Sequence, residues 1–176
     1  MAEEPQEPRT RVEHPNRGKA SSKLTRMLVI VLLLVSAALM LIVTVGGWSA
    51  LAGAKALQVA YILVYLVLAF FVARWSRGVL PLTSALAMVL LIFAAVSVPG
   101  WFDRDQPGFT DPGLPSEVLG LVTALIVPTQ ILLIPVAMSG FRQAWNVEIE
   151  RPVDDDRPRE RRPDRRSGGG ARPAPA

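Results

Sequence analysis

The sequence predicts an all-α fold: an integral membrane bundle of four transmembrane helices with disordered polar termini. Three observations predict it. Four runs, residues 27–45, 57–73, 79–98 and 118–138, carry no charge and are 17 to 21 residues long. That is close to the roughly 20 residues a helix needs to cross about 30 Å of hydrocarbon. The charged residues crowd into the two ends and the short gaps between runs. All four tryptophans, Trp48, Trp75, Trp101 and Trp145, lie within seven residues of the end of a run, where an interfacial ring is expected.

Residues 1–26 are polar and hold Pro5, Pro8 and Pro15 among mixed charges. No apolar periodicity is present to offset the entropy of ordering, so a disordered tail is expected. The first run, 27–45, is rich in Leu and Val and longer than the h-region of a signal peptide. With 26 polar residues before it, retention as a span is expected, although Ala50-Leu51-Ala52 fits a small-x-small cleavage site. An unsatisfied backbone group in lipid costs several kcal/mol, so each run must be helical. A buried helix of a soluble protein explains one such run. Four in 176 residues leave too little polar surface to coat them.

Counting Lys and Arg on alternating sides sets the orientation. The first tail has Arg9, Arg11, Arg17, Lys19, Lys23 and Arg26; the second gap has Arg74 and Arg77; the last tail has nine, from Arg142 to Arg172. The other side has only Lys55 and Arg104. Both termini are therefore expected in the cytoplasm, and the membrane is expected to be the inner (plasma) membrane of a bacterium. The bias of 16 Arg against 3 Lys, with Ala- and Pro-rich tails, suits a GC-rich genome.

The gap 99–117 is the sizeable external loop. Its four prolines and three glycines favour turns, and one Arg stands against Asp103, Asp105, Asp111 and Glu117. Ser116 with Glu117 is expected to open the fourth helix, Ser as cap and Glu against the positive N-terminus. Beyond the fourth run, Phe141, Trp145 and Ile149 are four apart with polar residues between them. That spacing predicts an amphipathic interfacial helix over 139–150. Residues 151–176 are Arg, Asp, Pro and Gly and are read as disordered.

Most chemistries are excluded by what the chain lacks. There is no cysteine and one histidine, His14, in a tail. Disulfides, thiol catalysis, iron–sulfur clusters and thiolate zinc sites are absent. No nucleophile–base pair, metal cluster or phosphate-cradling loop is visible, so no catalysis, cofactor or metal is expected. Asp103-Arg104-Asp105 suggests a calcium loop, but Pro107 and Leu114 stand at positions five and twelve, where ligands are required. The last tail sets eight Arg against five acids from Arg151 to Arg172. It is a solvated polyampholyte, and no nucleic-acid binding is expected.

No ionisable residue lies inside the four runs, which argues against a proton-coupled transporter. The polar residues there are mild. Gln58, Tyr61 and Tyr65 share a face of the second run; Thr123 and Gln130 share a face of the fourth; Ser36 and Thr44 flank Met40 in the first. These predict either a polar seam lining a ligand site or, preferably, hydrogen bonds that hold the helices together. Pro128-Thr129-Gln130 and Pro135 are the unusual stretch. Each proline deprives the carbonyl four residues back, Ala124 or Ile131, of its donor. A hinge anchored by Gln130 is one expectation and a fixed bend the preferred one. The expected function is contact-based: an accessory or scaffold subunit whose partners are the bilayer and other membrane subunits or itself. A small transporter or channel built on the kinked fourth helix is the alternative.

Overall fold

The computed structural model describes residues 10–104 and 106–152. It is all-helical, with four long helices: α1 Ala20–Gly46, α2 Lys55–Ala73, α3 Val79–Phe102 and α4 Ser116–Arg142. Each contains a window long and apolar enough to cross a membrane. α1 packs on α2 and α4, and α4 packs on α3, whereas α2 and α3 touch sparingly. The lateral order is therefore α2, α1, α4, α3. The five-residue turn 74–78 holds α2 and α3 together at one end, and the gap between them opens toward the other.

The core is a column of Val29, Leu33, Met40, Tyr65, Leu80, Leu90, Ile126 and Leu133. The outward faces are equally apolar. Val31, Leu34 and Ile42 on α1, Leu63 and Phe70 on α2, Ile92 and Val96 on α3, and Leu121 and Leu132 on α4 are all exposed. A soluble monomer rarely exposes a contiguous apolar patch beyond a few hundred Å². A belt around four helices is what hydrocarbon solvates, and a helix apolar all round belongs in such a medium.

The helices begin and end differently from the uncharged runs. α1 starts at Ala20 and takes in Lys23 and Arg26, because a helix entering the headgroup region tolerates charge in its first turns. Residues 10–26 are thus not the disordered tail expected of them. α3 carries Pro99 in its last turn and ends at Phe102, shortening the 99–117 loop. α4 opens with Ser116 already helical; the capping position is Pro115, and no side-chain cap forms. The Glu117 carboxylate does sit in the first turn, as the helix dipole favours.

The interfacial helix expected over 139–150 does not exist. Residues 139–142 complete α4, and the chain reverses at Ala144, whose φ is 49°. Trp145 turns inward and is fully buried, so Phe141, Trp145 and Ile149 never share a helical face. Ile149–Pro152 forms β2, antiparallel to β1, Thr10–Glu13. This two-stranded ribbon is a compact unit separate from the helical one, His14–Glu148. The tail expectations for residues 1–9 and 153–176 lie outside the described residues, as does Asp105.

The bundle end where α2 and α4 finish is sealed by aromatic rings and arginines. Trp75 and Trp145 meet edge to face at 5.4 Å, and the Arg26 guanidinium lies 4.4 Å from the Trp75 ring centre. Arg26 Nη2 donates to Ala73 O at 2.5 Å, Arg77 Nε to Phe141 O at 2.6 Å and Arg17 Nε to Trp145 O at 3.2 Å. The last carbonyls of a helix lack intrahelical donors and carry partial negative charge; here Arg26 and Arg77 satisfy one each at the ends of α2 and α4, and Arg17 holds the chain just past α4. α2 ends in a Schellman motif, with Ser76 N–H on Phe71 O and Trp75 N–H on Val72 O. Trp75 occupies the left-handed position at φ 63°. Of the four tryptophans expected at the interface, Trp48 is exposed, whereas Trp101 and Trp145 are 5% and 0% exposed and pack inside the bundle near the helix ends.

Candidate functional site

The polar residues of the spans divide into two groups. The deeper group joins three helices. Tyr65 of α2 donates its hydroxyl to Gln130 Oε1 of α4 at 3.0 Å, and Gln130 Nε2 donates to Ser36 Oγ of α1 at 2.8 Å. Ser36 passes its own proton to Leu32 O at 2.7 Å. Tyr65, Gln130 and Ser36 are all 0% exposed. The amide orientation follows from its partners: a hydroxyl that already donates to a carbonyl can only accept from Gln130. Every member of the chain is satisfied, which a polar network in a medium without water requires.

The shallower group lines a crevice of about 340 Å³. α2 contributes Gln58 and Tyr61, α3 Leu90, Phe93, Ser97 and Trp101, α1 Met40 and Val43, and α4 Thr123 and Ile126. Arg104, just past α3, stands with it. The crevice lies where α2 and α3 diverge, away from the turn that ties them. Most of its wall is apolar. Thr123 turns its hydroxyl back on Leu119 O at 2.7 Å, and Ser97 does the same to Phe93 O. The Gln58 amide and Thr44 Oγ1 lie 2.7 Å apart; the Thr44 hydroxyl gives its one proton to Met40 O, also at 2.7 Å, so it accepts from the Gln58 amide nitrogen. Among the described residues, the Tyr61 hydroxyl has no protein partner.

The expected seam Gln58–Tyr61–Tyr65 is therefore split. Its first two residues face the crevice, and Tyr65, whose ring tilts against Tyr61 at 6.0 Å, reaches past it into the three-helix network. Thr123 and Gln130, read as one face, divide in the same way. Pro128 and Pro135 are exposed on the outer surface of α4, on the side away from Gln130. Thr129 is half-buried and donates to Leu125 O at 2.8 Å, not to the Ala124 carbonyl that Pro128 deprives.

Arg104 and Trp101 were not singled out as site residues by sequence. Trp101 was read as an interfacial ring and Arg104 as a topology charge. Their spacing of three at a helix end is the signal that could have found them. The Arg104 guanidinium lies 4.9 Å from the Trp101 ring and 5.8 Å from Phe109 and donates to Ala50 O at 3.2 Å. Among the described residues no group of three or more His, Cys, Asp or Glu could hold a metal ion. No protein-family model, curated protein or solved structure matches the chain.

Proposed function

We propose that this protein is a non-catalytic multi-pass membrane protein that works through helix–helix contacts, as an accessory or scaffold subunit. It sits in the plasma membrane with both termini in the cytoplasm, where the arginines clustered at the closed end of the bundle meet the positive-inside rule. The observation that carries the reading is the state of Gln130. A transporter or channel built on α4 needs a polar anchor free to meet a substrate at mid-membrane. Gln130 is the strongest polar group there, and both halves of its amide are committed to Tyr65 and Ser36. The two prolines lie on the exposed face of α4, away from Gln130. The apolar outer faces remain for the bilayer and for other helices.

The test is crosslinking in native membranes with a tag on the C-terminal tail, followed by mass spectrometry and measured stoichiometry. A defined complex with one membrane partner, or a fixed homo-oligomer, is expected. Recovery of a lone monomer, together with substrate flux in reconstituted vesicles, would replace the contact role by transport.

A further inference from the structure

We propose that the crevice between α2 and α3 is a binding site for one phospholipid drawn from the surrounding leaflet, with its phosphate held by Arg104. This inference stands apart from the scaffold role and does not depend on it.

The argument rests on a gradient of chemistry along the crevice. From Leu90 to Trp101 the lining runs through twelve residues of α3, about 16 Å at the helical rise. That is roughly the hydrocarbon depth of one leaflet, half of about 30 Å. The deep part is apolar: Met40, Leu90, Phe93 and Ile126. Nearer the mouth, on the α2 wall, stands the Tyr61 hydroxyl, a donor without a protein partner among the described residues. Such a donor is costly to leave bare at membrane depth, and an ester carbonyl would satisfy it. At the mouth stands Arg104, with five N–H donors, of which one is used among the described residues. Its guanidinium is steadied by the rings of Trp101 and Phe109, and the planar fork suits phosphate oxygens. Apolar floor, an ester-height donor and a phosphate-binding cation repeat the order of groups along a glycerophospholipid. The volume, about 340 Å³, lies at the low end of the ~300–1,000 Å³ typical of small-molecule sites, so the crevice takes part of the lipid and the rest of its chains stays in the surrounding leaflet. Entry needs no gate, because α2 and α3 diverge and leave the crevice open sideways.

Two experiments on the full chain test the proposal. In the first, a photo-crosslinking benzoylphenylalanine replaces Phe93 and the membranes are irradiated before extraction. A mass shift equal to one phospholipid is expected. A crosslink to a polypeptide, including a second copy of this chain, would overturn the proposal. In the second, the delipidated protein is titrated by native mass spectrometry with a phosphatidylethanolamine and with the matching diacylglycerol. One saturable phospholipid per chain is expected, held about tenfold more tightly than the diacylglycerol, as a charge-assisted contact allows. Arg104→Gln should erase that tenfold difference, Arg104→Lys should keep most of it, and Ser97→Trp, filling the mouth, should block both lipids. Unchanged melting of each variant shows that the bundle is intact. Equal affinity for the two lipids in the wild type, or phospholipid binding indifferent to Arg104→Gln and Ser97→Trp alike, would leave only belt lipid and overturn the site.

Discussion

Replacing Gln130 by leucine is the sharpest test of what holds the bundle together. The substitution preserves approximate volume and apolar packing, so it removes polarity alone. Two interhelical hydrogen bonds are lost, one from the Tyr65 hydroxyl and one to Ser36. At the average of about 0.6 kcal/mol for such bonds in a membrane, that is about 1.2 kcal/mol. The partners then differ. Ser36 still donates to Leu32 O, but the Tyr65 hydroxyl, in a residue 0% exposed, is stranded. An orphaned buried donor adds about 1 kcal/mol, for a total near 2 kcal/mol. The assay is reversible unfolding by sodium dodecyl sulfate in mixed micelles, followed by circular dichroism. Tyr65→Phe removes the stranded group, so the double variant Tyr65→Phe/Gln130→Leu should be less destabilised than the sum of the singles by about 2–3 kcal/mol, because the singles count the Tyr65–Gln130 bond twice and each strands a partner that the double does not. A Gln130→Leu protein as stable as the wild type, or strictly additive singles, would refute the network as the clamp. It would also return Gln130 to the pool of ligand-binding candidates.

Pro128→Ala, on the exposed face of α4, restores a donor to the Ala124 carbonyl. It should change stability by less than about 1 kcal/mol in the same titration, and a loss above about 2 kcal/mol would show that the bend itself holds the packing. Ala144→Gly places the preferred residue at a left-handed φ of 49° and should stabilise by up to about 1 kcal/mol; a loss would mean the methyl group is packed rather than strained. Trp145→Ala empties the largest fully buried side-chain position and should cost about 3 kcal/mol, with the Trp75 fluorescence maximum shifting to the red as its neighbouring ring is removed; an unshifted maximum would place Trp75 against some other neighbour.

What the sequence could reveal depended on whether the signal was local. The spans were legible because a run without charge of the right length has one solution in lipid, and no partner need be known. The helix ends were less so: nothing in Ser21-Ser22-Lys23 marks whether α1 begins before or after it, since headgroups tolerate both. The ribbon was hidden, since Thr10–Glu13 is four residues long and its partner stands far along the chain. The 141–145–149 spacing misled because burial at Trp145 comes from a chain reversal at Ala144, which carries no glycine to announce it. The site was half legible. Helical periodicity placed Gln58, Tyr61 and Tyr65 on one face, but a face has no partners until the neighbouring helices are known.

The splitting of that face has a structural cause that also explains why a crevice exists. A two-helix contact zips along its length unless something holds the helices apart. Here α2 and α3 are tied at one end by the 74–78 turn, yet each leans on a different neighbour, α2 on α1 and α3 on α4. Tyr65 fixes α2 through Gln130 and Ser36 at mid-depth, and Thr44 fixes it again to α1 through Gln58. At the far end, α3 is held by Trp101, which packs with Val43 and Leu119 against a glycine. A β-carbon at Gly47 would stand 2.6 Å from the Trp101 ring, so that approach needs glycine. The polar bonds thus hold α2 to α1, and the indole seats α3 on α1 and α4, leaving the open space between α2 and α3. Closing it would break bonds that have no water to replace them. The crevice is stable for the same reason that the bundle is.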